Sequence, residues 1–135
     1  MEKVFKHLTQ RLKSDKPLVY TAMSKRLFYS RMFVSKYVLE QNAVPLNPFM
    51  VFDYFLLDSV DRDLVRQGNN NLVKRSDEIW VFGSVSNGVL AEIELARKMN
   101  KPVKYFQISD KQDITQVNIN EVELEEDIKE FRNKL

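Results

Sequence analysis

The fold is decided by residues 78–108, which read EIWVFGSVSNGVLAEIELARKMNKPVKYFQI. The first five of them, residues 78–82, are β-prone and mostly apolar, which is typical of a buried strand. A loop follows from Gly83 to Gly88, and residues 87–99 then place apolar side chains at helical spacing. A second strong strand is predicted at 103–108. A strand, a helix and another strand in this order predict a parallel β-α-β unit.

The same alternation extends towards the N-terminus. An apolar run at 18–22 predicts another buried strand, and residues 26–41 predict a helix with a wide apolar face, either pressed against the sheet or shared with another subunit. A weaker strand, limited by its proline, is expected at 44–46, and a further helix at 61–75. This pattern predicts an α/β fold with a Rossmann-like or flavodoxin-like parallel sheet sandwiched by helices, as one domain over residues 1–135.

Three further segments complete the prediction. Residues 2–13 are predicted to form a short amphipathic helix, and residues 121–134 a closing helix with acidic residues early and basic residues late. The aromatic segment 48–57 is predicted to be either a short helix or an ordered loop. Gly68, followed by three asparagines, lowers the helix propensity of the segment around it.

Composition excludes several classes of protein. Hydrophobic residues make up 44% and charged residues 30% of the 135 residues, the balance of an ordinary globular domain. The net charge of +2 does not favour a polynucleotide partner, which usually needs denser positive charge. Cysteine is absent, which excludes disulfides and thiolate metal sites, and we interpret the lone His7 as a surface or packed residue. With no signal peptide or membrane-length apolar run, we expect a cytoplasmic protein without membrane contact.

Two loops are expected to meet at the carboxyl edge of the sheet, where open parallel sheets bind their ligands. One covers residues 20–26 and the other residues 83–92. In the second loop, Ser86 is a predicted helix N-cap, where free amides attract a phosphate or a sugar oxygen. Gly88 lets a ligand approach the backbone closely, and Glu92 lies about one turn further into the helix. Taken singly, such residues are common at helix starts and on surfaces.

The order of several short motifs adds to this signal. In chain order they are a strand ending in Val-Tyr, a Ser-x-Arg just after it, an Asp-x-x-x-Val strand, Ser-x-Gly-x-x-x-Glu-Ile, and a Lys-Pro-Val strand. Each motif is short, and only the ordered set is informative. Over roughly residues 18–107 this set resembles the nucleoside 2-deoxyribosyltransferase family. Within that family, the likeness is to the 2′-deoxynucleoside 5′-monophosphate N-glycosidases.

The resemblance implies a reaction and the residues for it. Glu92 matches the family's nucleophilic glutamate, and Tyr20 matches the tyrosine that supports this carboxylate. The residues that match contacts to the 5′-phosphate or to the ligand-facing loop are Ser24, Arg26, Ser86 and Gly88. Neither a metal nor an organic cofactor is implied. A carboxylate suits this chemistry because it stabilises or captures the cationic sugar that forms when an N-glycosidic bond breaks.

Three positions depart from the family's pattern. Asn69 stands where the family has an aspartate that contacts the sugar, and Asp61 or Asp63 on the same predicted helix is the alternative carboxylate. Met23 stands in place of a glycine and is expected to narrow the pocket. Glu94 replaces a small residue and is expected to point away from the nucleophile, towards solvent. Among these departures, the missing aspartate bears most directly on turnover.

Two further features have both a functional and a structural interpretation. Asn47 follows the weak second strand, so it is a candidate ligand contact at the same edge of the sheet. Four aromatic residues come after it: Phe49, Phe52, Tyr54 and Phe55. Three roles fit these residues: stacking on a base, a buried subunit contact, and a place in the hydrophobic core. The core is the commonest role of aromatic residues at such spacing. Trp80, in the middle of a predicted strand, is assigned to the core.

Three functions follow from these observations. The first is an enzyme that cleaves or exchanges the base of a deoxynucleotide or nucleoside through Glu92. The second is a non-catalytic protein that binds a nucleotide or a nucleotide-derived signal in the same pocket, which Asn69 favours. The third is an interaction scaffold that uses the aromatic segment. The expected partner is a small-molecule nucleotide or nucleoside, and the wide apolar face at 26–41 suggests a homo-oligomer.

Overall fold

Five β-strands form a mixed sheet in the computed structural model, which describes residues 2–53 and 56–135. The strands are β1 Leu18–Met23, β2 Val44–Leu46, β3 Glu78–Phe82, β4 Val103–Ile108 and β5 Ile114–Val117. Their order across the sheet is β2-β1-β3-β4-β5. The first four strands are parallel, and β5 pairs antiparallel with β4. The predicted α/β fold is confirmed, and the predicted sheet needs one correction: the edge strand β5 was not predicted, and it makes the sheet mixed rather than wholly parallel.

Helices cover both faces of this sheet. The α-helices are α1 Arg31–Glu40, α2 Pro48–Val51, α3 Arg62–Arg75 and α4 Asn87–Lys98. On one face, α1 and α2 pack against strand residues that include Trp80 and Phe82, which confirms Trp80 as a core residue. On the other face, α3, α4 and the C-terminal segment pack against residues that include Tyr20 and Ile79. Since side chains alternate along a strand, Tyr20 is directed towards α4.

The helix predicted at 26–41 consists of two elements. Lys25–Ser30 form a 3-10 helix, in which the first turn is capped by the side chain of Ser24, and α1 begins only after it. Val34 and Val38 of α1 are completely buried against the sheet, whereas other apolar side chains of this region stay exposed. The wide apolar face is therefore only partly used by the core of one chain.

The aromatic segment begins as a short helix, one of its two predicted forms. The side chain of Asn47 accepts a hydrogen bond from the Phe49 amide and caps α2. Further along, the ring of Phe52 packs directly on α3, where a Cβ at Gly68 would lie 2.6 Å from the ring. This contact explains the glycine, because any side chain here would collide with the Phe52 ring, although glycine has a low helix propensity. Tyr54 and Phe55, for which base stacking or a subunit contact was considered, lie outside the described residues.

The helix predicted at 2–13 is wrong. Residues 2–7 are not helical, and only Leu8–Arg11 form a short 3-10 helix. The apolar side chains that were expected to define its buried face are 61–78% exposed: Val4, Phe5, Leu8 and Leu12. A short helix is marginal in water unless an apolar face packs on something, and this segment has no buried residue.

The closing helix predicted at 121–134 is also wrong as an α-helix. Val122 and Leu124 are both buried in an extended stretch. Buried side chains therefore recur at every second residue here, as in a strand, and not at helical spacing. Glu126–Lys134 then form 3-10 turns that are interrupted by a kink at Phe131, and this segment is attached to the core through Ile128. Within the two described ranges, none of the helices has the length and apolar character that crossing a membrane requires.

The strand order creates a crevice at the carboxyl ends of β1 and β3. In a doubly wound sheet this is the switch point, where the connections leave to opposite faces and a ligand finds room. The carboxylate of Asp77 accepts a hydrogen bond from the Leu18 amide at 2.7 Å, which ties the starts of the two strands together. At the end of β3, Gly83 has φ of 76°, and a Cβ there would lie 2.3 Å from the Leu27 side chain. Only glycine permits this turn towards α4.

Candidate active site

A cavity of about 520 Å³ opens at this crevice. Its size lies within the usual range of small-molecule sites. The polar and charged side chains that line it are Tyr20, Ser24, Lys25, Arg26, Arg62, Arg66, Asn69, Ser86, Asn87, Glu92 and Glu125. Gly88 lies in the same wall. The structure therefore brings together every predicted site residue except Asn47, which stands behind Met23 and donates to its sulfur at 3.4 Å.

The centre of the cavity is a pair formed by Tyr20 and Glu92. Tyr20, on β1, is fully buried, and its hydroxyl donates a hydrogen bond to Oε2 of Glu92 on α4. Glu92 is partly exposed as a residue and borders the cavity. The carboxylate is thus held in one orientation by the sheet while one side of it remains accessible to a ligand.

Burial changes the titration of both groups. Loss of water around the carboxyl raises the pKa of Glu92 to about 7, and the hydrogen bond from Tyr20 acts in the opposite direction. Burial, and then the neighbouring charge of Glu92, raises the pKa of the Tyr20 hydroxyl well above its ordinary value. At neutral pH Tyr20 therefore stays a donor, while Glu92 is divided between its acid and its carboxylate forms.

The corner predicted to hold a phosphate contains a carboxylate of the chain itself. Ser24 donates a hydrogen bond to Oε2 of Glu125 at 2.9 Å. The guanidinium of Arg26 lies 3.9 Å from Oε1 of the same residue. Glu125 was not among the predicted site residues, because it lies 101 residues from Ser24 in a segment for which a different structure was predicted.

The start of α4 forms another part of the wall. Ser86 caps the helix by accepting a hydrogen bond from the Val89 amide at 3.3 Å, as predicted. A Cβ built on Gly88 meets no heavy atom within 4 Å. The fold therefore has room for a side chain at this position, and the glycine leaves that room to the cavity.

Asn69 of α3 lines the cavity with an incompletely satisfied amide. Its Oδ1 atom is buried and has no hydrogen-bond partner among the described residues. The two alternative carboxylates are placed elsewhere: Asp61 caps α3, and Asp63 pairs with Arg66 at 2.9 Å in solvent. Glu94 lies 3.9 Å from Lys134 at the surface, away from the nucleophile, as predicted.

Two arginines of α3 belong to the site in addition to the predicted residues. Arg62 and Arg66 line the cavity together with Asn69. Arg66 lies four residues after Arg62, and Asn69 lies three residues after Arg66, so all three are on one face of the helix. The spacing was visible in the sequence, but the direction of that face was not. Both arginines are exposed, so they give the mouth of the cavity a positive charge that water and salt screen.

The fold and this site define a doubly wound α/β domain with a buried tyrosine–carboxylate pair at its switch point. The chain belongs to the family described as a domain of unknown function (DUF7768), whose sequence model matches residues 20–106. That range begins at Tyr20 and includes Asn69 and Glu92, but it ends before Glu125. A comparison with curated proteins found no match.

Proposed function

We propose that this protein binds a nucleoside or nucleotide in the cavity and cleaves or exchanges its N-glycosidic bond, with Glu92 as the nucleophile. The observation that carries the proposal is the hydrogen bond from Tyr20 to Glu92 at the wall of the cavity. A carboxylate held in one orientation, next to a space of ligand size, is what attack on a sugar carbon needs.

The reaction is a double displacement. A Glu92 oxygen forms a bond to sugar C1′ as the C1′–N bond breaks, and the bonding electron pair leaves with the base, which takes a proton from solvent. Water then replaces Glu92 at C1′, loses a proton to solvent and releases the sugar, which restores the carboxylate. If the nitrogen of a second base attacks instead, the result is base exchange. Tyr20 orients the carboxylate throughout, because its raised pKa keeps its proton in place.

Other residues of the wall suit such a ligand. The unpartnered Oδ1 of Asn69 is an acceptor for a sugar hydroxyl or a base amine. Apolar side chains line a further part of the cavity, and they suit the faces of a base: Met23, Pro48, Phe49, Val65 and Val89. Glu92 and Asn69 both border this one cavity, whose volume of about 520 Å³ suits a ligand of nucleoside size.

A second candidate function is binding without turnover of a nucleotide or a nucleotide-derived signal. The observation that favours it is Asn69, because an amide there supplies no negative charge to the developing cation of the sugar. The ligand contacts are the same in both cases, and only the fate of the glycosidic bond differs.

We extend the proposal to a homo-oligomer in the cytoplasm. Tyr29 is 86% exposed, Met32 60% and Phe33 47%, and these neighbouring side chains form an apolar area that one chain leaves uncovered. Light scattering coupled to size-exclusion chromatography measures the assembly directly. A shift to monomer in Met32→Glu, with an unchanged far-ultraviolet circular dichroism spectrum, is the expected result.

Incubation with a panel of deoxyribo- and ribonucleosides and their 5′-monophosphates tests the reaction, with free base measured by chromatography. We expect base release by the wild type and none by Glu92→Gln, which keeps the shape of the side chain but is a poor nucleophile. Glu94→Gln is the matched control, since it makes the same change on the same helix at the surface.

The two candidate functions give different results in this assay. Binding of a panel member without base release selects the binding protein over the enzyme. Full turnover in Glu92→Gln contradicts the assignment of the nucleophile, whatever the substrate is.

A further inference from the structure

Glu125 reaches the wall of the cavity from outside the matched family range. Its side chain is 14% exposed, accepts a hydrogen bond from Ser24 at 2.9 Å and lies 3.9 Å from the guanidinium of Arg26. Ser24 and Arg26 are the residues that the resemblance assigns to a 5′-phosphate. The negative charge that this corner was expected to receive from a ligand is thus already supplied by the chain.

The backbone holds Glu125 in this place. The Val85 amide donates to the Glu123 carbonyl at 2.8 Å, and the Glu125 amide donates to the Val85 carbonyl at 2.9 Å. Between them, Leu124 is 8% exposed and belongs to the core. The backbone of Glu125 is thus anchored beside the cavity, and its hydrogen bond with Ser24 holds the carboxylate in the corner.

The chemistry of the corner disfavours a phosphate. A phosphate dianion only accepts hydrogen bonds, whereas a hydroxyl has a single proton to give, and Ser24 gives it to Glu125. A phosphate there also meets the Glu125 carboxylate, a like charge at short range. A sugar hydroxyl has the opposite properties, because it donates to a carboxylate and carries no charge.

We propose that Glu125 determines specificity in this pocket: it excludes a 5′-phosphate from the Ser24–Arg26 corner and accepts a hydrogen bond from the free 5′-hydroxyl of a nucleoside. The choice of ligand rests on the function proposed above. The cations of α3 do not reverse this preference: Arg66 is paired with Asp63, with both side chains more than 60% exposed, and Arg62 is exposed at the mouth of the cavity, where water and salt screen its charge. The substrate class is thus a nucleoside rather than its monophosphate.

Calorimetric titration of the common 2′-deoxynucleosides and their 5′-monophosphates into wild type, Glu125→Gln and Glu126→Gln tests the proposal. Glu125→Gln keeps an acceptor oxygen for Ser24 and replaces the negative charge by a neutral amide. Glu126→Gln is the matched control, because Glu126 is the next residue and pairs with Lys129 in solvent. A thermal-shift series with inorganic phosphate, against chloride at equal ionic strength, probes the corner without any nucleoside.

In the wild type we expect nucleosides to bind at least as tightly as their monophosphates. In Glu125→Gln the affinity ratio moves towards the monophosphate by about tenfold or more, and inorganic phosphate raises the melting temperature more than it does in the wild type. An unchanged ratio in Glu125→Gln, or tighter binding of monophosphates by the wild type, overturns the proposal. If no nucleoside or monophosphate binds any variant, the proposed function fails. The phosphate series is an independent test of the corner: an equal rise in melting temperature for wild type and Glu125→Gln would overturn the exclusion of phosphate.

Discussion

The hydroxyl of Tyr20, in the middle of β1, donates a hydrogen bond to the carboxylate of Glu92, in the second turn of α4, across 72 residues of sequence. The two groups influence each other's ionisation. The hydrogen bond lowers the pKa of Glu92 against the larger effect of burial, and the charge of Glu92 adds to the burial that raises the pKa of Tyr20. A change in one residue should therefore be visible in the titration of the other.

Tyr20→Phe should raise the pKa of Glu92 further above its value of about 7, because the hydrogen bond that stabilises the carboxylate is lost. Hydrogen bonds to charged groups contribute about 1.5–3 kcal/mol, so activity at pH 7 should fall by about tenfold or more and recover partly at higher pH. The measurement is the pH profile of kcat, together with a carbon-13 NMR titration of the Glu92 carboxyl, which needs no substrate.

Tyr29→Phe is the control for this experiment, since Tyr29 is 86% exposed and loses the same hydroxyl. An unchanged carboxyl titration in Tyr20→Phe would show that the hydrogen bond contributes nothing to the ionisation of Glu92.

Glu92→Gln should stabilise the folded protein above pH 7. The pKa of Glu92 is about 7 in the folded state against an ordinary 4.5, so the folded state holds its proton more tightly. Between these two pH values the free energy of unfolding of the wild type falls as pH rises, and it stays reduced at higher pH. The variant has no such loss and should be more stable at pH 8 by up to about 3 kcal/mol.

Urea unfolding of both proteins at pH 5 and pH 8 measures this difference. Glu94→Gln, at the surface of the same helix, should unfold like the wild type at both pH values. Parallel stability curves for wild type and Glu92→Gln would mean that the carboxyl of Glu92 is hydrated rather than buried.

Gly88→Ala should stabilise the fold and weaken the binding of the ligand. Alanine is favoured over glycine in a helix by up to about 1 kcal/mol, and the added Cβ meets no protein atom within 4 Å. The same methyl group occupies the room that the glycine leaves to the cavity, so ligand affinity should drop. Thermal melting and calorimetric titration measure the two effects. Gly83→Ala is the contrast, because its positive φ and its contact with Leu27 predict a clear loss of stability.

The parts predicted correctly from the sequence are those that local patterns determine. The unit from β3 through α4 to β4 has apolar strands, helical spacing and a capping serine within about thirty consecutive residues. The pairing of Tyr20 with Glu92 came from the order of motifs in a resembling family, and the structure places both residues on one cavity. By contrast, β5 is a short edge strand with two exposed and two partly buried side chains, so its pattern is weak.

The parts that were missed depend on contacts distant in sequence. Glu125 reaches Ser24 only because Leu124 forms an isolated bridge with Val85, and a single bridge leaves no periodic pattern. Arg62 belongs to a correctly predicted helix, but the rotation of that helix is set by packing, which includes the contact of Phe52 with Gly68. A sequence predicts such elements more readily than it predicts which of their faces meet.

Asn69→Asp should raise base release by about tenfold or more, because a carboxylate at this point of the wall stabilises the positive charge that develops on the sugar. The added charge should also raise the pKa of Glu92, so the pH profile should move upward. Single-turnover release of base, measured across pH, separates the two effects. Asn70→Asp makes the same change one residue further along α3 on an exposed position, and it should alter neither the rate nor the profile. If Asn69→Asp binds a ligand of the panel but releases no base, a missing carboxylate is not what limits turnover, and the site is one that binds its ligand intact.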